Sequence, residues 1–160
     1  MNTDTLPYRP CVGMMLLNRE GRVWVGQRLD TTIEAWQMPQ GGVDEEEELE
    51  AAALRELEEE IGTRNVSIIA RTDDWLTYDL PKELIGKVWK GRFRGQKQHW
   101  FVMRYHGEDS DINLEAHHPE FARWQWVRVQ DLPDMIVPFK RDIYTEIVRQ
   151  FGHLAVPQKP

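Results

Sequence analysis

The segment between Gly41 and Gly62 constrains the fold and the chemistry of this chain more than any other part of it. The segment reads GGVDEEEELEAAALRELEEEIG, and Glu56, Glu59 and Glu60 recur in it at the i, i+3, i+4 spacing of one helix face. Side chains at this spacing lie about 5–6 Å apart, and like charges there destabilise a helix unless something neutralises them. Mg²⁺ or Mn²⁺ is the natural partner, because hard divalent cations prefer carboxylate oxygen and bind substrate phosphates as well.

The alternative is that this acidic run is only a solvated helix face, which is the usual role of such runs. The flanking residues argue against it. Gly41 is followed by five residues and Glu47, and then by seven residues and the run from Arg55 to Gly62, a spacing that composition alone rarely produces. Gly41 also suits a metal or phosphate site, because a residue without Cβ lets a backbone carbonyl approach the ligand closely.

This spacing resembles the box of the Nudix hydrolase family, G-x5-E-x7-R-E-U-x-E-E-x-G-U, in which U is a bulky aliphatic residue. Only the last position departs, since Thr63 stands where an aliphatic residue is expected, and this concerns packing at the helix end. The resemblance implies that the three carboxylates of the helix are catalytic metal ligands, with the base that deprotonates the attacking water among them. It also implies that Glu47 pairs with Arg55 and braces the loop against the helix.

The rest of the chain fits one domain. Residues 1–156 of the 160-residue chain, which is 41% hydrophobic, suffice for one core, because domains most often have about 100–150 residues. Residues 157–160 are predicted to form a frayed tail. The single Cys11 lies in an apolar run and is predicted to be a buried thiol. We see neither an apolar stretch near the roughly 18 residues of a membrane span nor a basic leader, so we expect a cytoplasmic protein without a membrane partner.

Charge is distributed unevenly along the chain. The formal net charge of −7 argues against a surface that coats DNA. Five basic residues nevertheless crowd into residues 87–97, interleaved with Trp89 and Phe93; they are Lys87, Lys90, Arg92, Arg94 and Lys97. This composition is typical of a solvated, mobile loop. It also suits a flexible basic arm that meets a polyanionic substrate, because Lys and Arg contacts to phosphate supply most sequence-independent affinity for nucleic acid.

Hydrophobic periodicity predicts six strands and two helices. The predicted strands are 9–18, 22–28, 66–70, 75–80, 99–106 and 124–129, and the predicted helices are 47–61 and 141–151. Strands on both sides of one central helix, followed by a last helix, predict an α/β fold with a mixed sheet between helices. This order fits the α/β/α sandwich that the Nudix resemblance implies.

The resemblance continues beyond the box over nearly the whole chain. The matching blocks are YRPCVG at 8–13, WQMPQGG at 36–42, GQKQHWF at 95–101, PEF at 119–121, WQW at 124–126 and FKRD at 139–142. They make the chain similar to the Nudix group of RNA pyrophosphohydrolases and dinucleoside polyphosphate hydrolases. The implied activity is metal-dependent conversion of 5′-triphosphorylated RNA to 5′-monophosphorylated RNA with release of pyrophosphate, which promotes RNA decay.

Two other functions stay open. One is hydrolysis of dinucleoside polyphosphates such as diadenosine tetraphosphate, which present nearly the same chemical groups. The other is a catalytically silent nucleotide-binding module on the same fold, although a pure binding module has no evident need for the acidic cluster.

The group's pattern also implies further site residues. Glu120 would be a fourth metal-ligating or catalytic carboxylate. Arg9 would contact phosphates, and Arg28 would contact both phosphates and a base. Positions near the phosphates are Tyr78, Gln96, Lys97 and Gln98, and a base pocket with Arg28 comprises Val137, Phe139 and Lys140. Each of these residues also has an ordinary structural role, as a strand-edge charge, a loop amide or a core aromatic, and Trp124 and Trp126 are predicted to serve only in packing.

Overall fold

The computed structural model describes residues 5–29, 34–117 and 119–158. Its strands are β1 (Tyr8–Leu17), β2 (Val23–Arg28), β3 (Gln40–Gly42), β4 (Val66–Arg71), β5 (Leu76–Asp79), β6 (Gly95–Tyr105) and β7 (Phe121–Val127). Its helices are α1 (Leu49–Ile61), α2 (Leu132–Met135) and α3 (Arg141–Phe151), with short 3₁₀ turns between elements. None of the helices in the described ranges is long and apolar enough to cross a bilayer.

Every predicted strand and helix is present; helix α3 has the predicted bounds, and the other elements have at least one shifted end. Helix α1 begins at Leu49 rather than Glu47, because Glu48 has the extended backbone of an N-cap residue. Strand β6 begins at Gly95 rather than His99, because its polar first residues pair with β5 and β1. Strand β3 and helix α2 were not predicted, since three and four residues carry too short a pattern to recognise.

The strands form one mixed sheet in the order β4-β6-β1-β2-β7, with β3 paired to β1 and β5 paired to β6. Strands β1 and β6 are parallel from the Tyr8–Gly95 pair to the Leu17–Arg104 pair. Strand β1 meets β2 only at Leu17, so its other half is free to pair with β3. This divergence places Gly41 in the middle of the sheet.

Helices cover both faces of the sheet, as the predicted α/β/α sandwich requires. Successive side chains of β1 alternate between the faces: Met14 and Leu16 pack with α1, whereas Met15 and Leu17 pack with α3. From α1 the buried residues are Ala52, Ala53, Leu57, Glu60 and Ile61, and from α3 they are Ile143, Tyr144, Ile147 and Phe151.

Cys11 is fully buried, and burial raises the pKa of its thiol to about 11, which agrees with a structural role. Trp124 and Trp126 pack partly buried against the α1-side core, as predicted. Near the C-terminus, the amide of Gln158 donates to the carbonyl of Arg19 at 2.7 Å. Residues 159–160 of the predicted frayed tail lie outside the described residues.

Candidate active site

A polar cavity of about 340 Å³ opens where β3 lies between β1 and α1. Seven of its lining residues belong to the predicted site: Arg9, Arg28, Gly41, Glu56, Gln96, Glu120 and Lys140. The other lining residues among those described are Gln37, Gln40, Gly42 and Trp89. The cavity therefore brings together acidic and basic residues that are far apart in the sequence.

Glu60 is the most deeply buried carboxylate of the site, with 3% of the residue exposed. While Glu60 and Glu120 are both ionised, neither oxygen of Glu60 has a hydrogen-bond partner. Burial raises its pKa well above the ordinary value, and the charges of Glu120 and Glu56 raise it further. A buried carboxylate without a partner is costly, so Glu60 needs either a proton or a cation.

Glu56 borders the cavity from the same helix. Its side chain is 13% exposed and accepts a hydrogen bond from Arg55 Nη1 at 2.9 Å. Burial raises the pKa of Glu56 to about 7, although Arg55 opposes this shift. A Cβ at Gly41 would lie 2.0 Å from the Glu56 carboxylate. The Glu56 position therefore requires glycine at residue 41.

Glu59 lies further out, with its side chain 46% exposed, and its carboxylate pairs with Arg55 Nη1 at 3.3 Å. Within the described ranges, no three acidic, histidine or cysteine side chains are already gathered as ligands of one ion. The three glutamates lie on one helix, as predicted, but Arg55 holds two of them in ion pairs.

The chemistry of the site nevertheless fits a hard divalent cation. Its donors are carboxylate oxygens, which Mg²⁺ and Mn²⁺ prefer. When Glu60 and Glu120 are both ionised, the two buried Glu60 oxygens have no hydrogen-bond partner, and Glu120 and Glu56 add negative charge beside them. A cation would neutralise all three of these carboxylates.

Arg55 joins the loop after β3 to helix α1. Its Nε and Nη2 donate to the two oxygens of Glu47, both at 2.8 Å, and Nη2 also donates to the Gly42 carbonyl at 3.0 Å. Glu47 in turn accepts the Asp44 amide at 3.0 Å. The hydrogen bonds from Arg55 lower the pKa of Glu47 to about 2. This geometry is that of a brace, and Glu47 does not line the cavity.

Replacing Glu47 by glutamine is expected to lower the free energy of unfolding near neutral pH by about 1–2 kcal/mol, because charged hydrogen bonds are lost. A lowered pKa in the folded state stabilises only above the unfolded pKa, about 4.3 for glutamate. The difference between wild type and variant should therefore shrink as the pH falls from about 4.3 toward the folded value of about 2. Urea unfolding at several pH values measures it.

Glu146→Gln is the matched control. Glu146 also receives two hydrogen bonds from an arginine, Arg149, but this pair lies on the surface, so little change is expected. A Mn²⁺ titration then separates brace from ligand: Glu47→Gln should keep most of the affinity that Glu56→Gln loses. Equal losses would contradict the division of roles.

Basic side chains line another part of the cavity wall. Arg28 Nη1 lies 3.7 Å from Glu120 Oε2. Arg9 lies beside Gly42, where a Cβ would be 2.6 Å from its Nη2. Burial, and then the charge of Arg28, lower the pKa of Lys140 to about 8. Three cations in a cavity that also holds carboxylates suit a phosphate chain with a bound metal.

Other predicted site residues lie behind or beside the cavity. Gln98 is buried; its amide donates to Gln40 at 3.0 Å and Gln96 at 2.7 Å, and it accepts from Trp100 Nε1. It therefore supports the lining glutamines. Lys97 alternates with Gln96 and Gln98 along β6, and its Nζ lies 4.7 Å from the Trp75 ring centroid, so it does not line the cavity.

The predicted base pocket is only partly assembled at the cavity. Arg28 and Lys140 line it, whereas Phe139 and Val137 pack against the α3-side core. The ring of Phe139 lies 5.7 Å from that of Tyr78, and Lys140 Nζ lies 5.6 Å from the Tyr78 ring. Tyr78 is thus a buried support for Lys140 rather than a lining residue.

Part of the basic segment 87–97 packs onto the fold. Arg94 pairs with Asp79 at 3.1 Å and lies over the Tyr8 ring at 5.0 Å, and Lys97 belongs to β6. The exposed basic residues of the segment are Lys87, Lys90 and Arg92.

Sequence reasoning missed four lining residues. Gln37, Gln40 and Gly42 fall in the block 36–42 that carried the resemblance, so that block was the available signal. For Trp89, the sequence offered no signal beyond its place in a basic, glycine-rich segment.

The chain resembles known proteins over almost its whole length. Residues 7–147 match the profile of the NUDIX domain. A protein of Sphingopyxis alaskensis named RNA pyrophosphohydrolase is 58% identical over 153 residues, which cover 94% of this chain and 97% of that protein. A protein of the same name from Roseobacter denitrificans is 57% identical over 152 residues, covering 93% and 95%.

Solved structures share the fold. The E. coli dihydroneopterin triphosphate pyrophosphohydrolase superposes with a TM-score of 0.69 at 19% identity, covering 90% of this chain and 99% of that one. A binary complex of a C. elegans Ap4A hydrolase gives a TM-score of 0.65 at 17% identity, covering 91% and 98%. At these identities the likeness concerns the fold alone.

Proposed function

The chain belongs to the Nudix hydrolase family, and on that premise we propose that it is a metal-dependent pyrophosphohydrolase of RNA 5′ ends. It would convert 5′-triphosphorylated RNA to 5′-monophosphorylated RNA, release pyrophosphate and so promote RNA decay in the cytoplasm. The observation that carries the proposal is that one cavity holds both carboxylates suited to a divalent metal and cations suited to a phosphate chain. Relatives that match along their full length are named for this activity.

The basic side chains of the cavity bind and neutralise the phosphates. Arg9 and Arg28 present planar guanidinium groups that can grip phosphate oxygens with two hydrogen bonds. Lys140 adds a nearby ammonium group. Negative charge on the phosphate oxygens must be stabilised in phosphoanhydride hydrolysis, so these groups lower the barrier mainly by electrostatics and positioning.

The carboxylates would hold the metal and accept the proton of the attacking water. Glu56, Glu59, Glu60 and Glu120, with the carbonyl of Gly41, are the proposed donors to Mg²⁺ or Mn²⁺. A cation held there would lower the pKa of the attacking water and polarise the phosphoryl group. The proton of the attacking water passes to a carboxylate that borders the cavity, as Glu56 and Glu120 do. Glu60 lies deeper and would serve as a ligand.

Diadenosine tetraphosphate is the second candidate substrate, because it offers the same phosphates and a purine beside them. Initial rates on a triphosphorylated oligoribonucleotide and on diadenosine tetraphosphate, at matched concentrations with Mg²⁺, decide between the two. A higher kcat/KM on RNA supports the proposal, and a clear preference for the dinucleotide replaces it. Inactivity on both would leave the silent binding module.

Exposed basic residues near the cavity provide a second test of the RNA assignment. Changing Lys87, Lys90 and Arg92 together to glutamine should raise KM for triphosphorylated RNA about tenfold and make its salt dependence shallower, since phosphates beyond the first nucleotide lose contacts. KM for diadenosine tetraphosphate should change by less than about twofold, because it has no such phosphates. Arg94 is left in place because it pairs with Asp79.

The control variant removes the same number of positive charges from residues that do not line the cavity. Arg19 and Arg22 lie in the turn after β1, at the opposite end of that strand from Arg9, and Arg64 follows α1. Their triple glutamine variant should leave both KM values unchanged. If the two triple variants behave alike, segment 87–97 is ordinary solvated surface.

A further inference from the structure

Trp89 is the only aromatic side chain among the described residues that line the cavity. Its ring is half-buried and packs partly against the α3-side core. The guanidinium carbon of Arg9 lies 5.6 Å from the ring centroid, and the ring of Phe93 meets it at 6.3 Å in an edge arrangement. Trp89 is thus held beside a proposed phosphate ligand.

The backbone presents this ring in an unusual way. Trp89 and Lys90 have φ values of 49° and 58°, a left-handed conformation that residues other than glycine rarely adopt. The amide of Gly91 donates to the Val88 carbonyl at 3.0 Å, and that of Arg92 donates to the Trp89 carbonyl at 3.2 Å. Unfavourable backbone of this kind persists where the surroundings hold it, and it clusters at ligand sites.

The position of the ring indicates its partner. A nucleotide whose phosphates contact Arg9 carries its flat base one ribose away, within reach of a ring that contacts the same arginine. Aromatic side chains bind bases of any sequence by stacking. Phe139, the aromatic residue of the predicted base pocket, faces Tyr78 and does not line the cavity.

We propose that Trp89 stacks on the nucleobase attached directly to the phosphate chain, the first base of an RNA or an adenine of a dinucleoside polyphosphate. This inference rests on the proposed function. It makes Trp89 a substrate-binding residue that favours nucleotides over other phosphate esters without selecting a particular base. The simpler alternative is that Trp89 only positions Arg9.

The test compares substrates with and without the base. Triphosphorylated oligoribonucleotides carrying either a normal or an abasic first nucleotide are hydrolysed by wild type, Trp89→Leu and Trp89→Phe. For the normal RNA, Trp89→Leu should raise KM about tenfold with kcat nearly unchanged, and Trp89→Phe should recover most of the loss. For the abasic RNA, KM should be the same in all three proteins. Diadenosine tetraphosphate should follow the normal RNA if its adenine uses the same ring.

Trp75→Leu is the matched control. Trp75 is also a partly exposed tryptophan beneath a cation, Lys97, but its ring does not line the cavity. Both KM values should be unchanged in this variant.

Two results would overturn the proposal. An equal rise of KM for normal and abasic RNA means that Trp89 acts only through Arg9, and unchanged KM for both means that it contacts nothing in the substrate. If Trp89→Leu does not fold, Trp89→Phe decides, with a smaller rise confined to the normal RNA. Calorimetric binding of both oligonucleotides measures the same contrast without turnover, so a failure of the hydrolase assignment is distinguishable from a failure of stacking.

Discussion

Glu56→Gln and Glu60→Gln are each expected to lose about a hundredfold or more in kcat while the protein stays folded. Each change removes a charge proposed to hold metal or accept a proton, and groups in such roles commonly contribute factors of about 10²–10⁴. Glutamine has nearly the same shape as glutamate, so neither substitution should disturb the packing around the side chain. Steady-state rates with Mg²⁺ measure the loss of kcat, and circular dichroism checks that the variants stay folded.

The same variants should be more stable than wild type when metal is chelated. Burial raises the pKa of both carboxyl groups in the folded protein. A raised folded pKa favours the unfolded state once the pH exceeds the unfolded value of about 4.3. For Glu56→Gln, the gain in melting temperature over wild type should therefore appear above about pH 4.3 and level off near the folded pKa of about 7.

Glu58→Gln is the control on the same helix, because Glu58 pairs with Arg64 at 3.2 Å and does not line the cavity. Its activity should be that of wild type. Near-normal rates in Glu56→Gln and Glu60→Gln would refute the metal site, and a gain in stability below about pH 4 would refute its electrostatic explanation.

Local spacing was enough to predict the acidic helix, whereas its brace was implied by the Nudix resemblance. Residues three or four apart share a helix face whatever the rest of the fold does, so the positions of Glu56, Glu59 and Glu60 followed from the sequence. The hydrogen bonds from Arg55 to Glu47 link residues only eight apart. The apolar run of β1 likewise predicted a strand.

Features that depend on distant packing could not be predicted in this way. Helical position does not reveal that Glu60 is buried beside Glu120 while Glu59 is exposed, because the packing of the sheet decides this. Strand β3 exists because β1 pairs with β2 only at Leu17, which leaves the earlier part of β1 free to pair with Gly41. The inward position of Trp89 depends on a left-handed backbone that no residue pattern indicated.

Gly41→Ala is expected to lower kcat/KM about a hundredfold with little loss of stability. The new Cβ would lie 2.0 Å from Cδ and Oε2 of Glu56, so the Glu56 carboxylate must move. A glutamate side chain can rotate away cheaply, and Gly41 does not need the left-handed backbone that would strain an alanine. The damage should therefore fall on the site, where a small displacement of a catalytic group costs about a hundredfold in rate. Rates, Mn²⁺ affinity and thermal melting measure these effects.

Gly152→Ala is the control, because its new Cβ would meet only Val148 at an ordinary 3.6 Å, and both activity and stability should be retained. The route through Glu56 is tested by combining Gly41→Ala with Glu56→Gln. If the alanine acts by displacing Glu56, the double variant should be little worse than Glu56→Gln alone, since groups in direct contact do not contribute additively. Fully additive losses in the double variant would mean that Gly41 serves the site by another route, such as its own carbonyl. Unchanged activity in Gly41→Ala would mean that turnover does not use this Glu56 position.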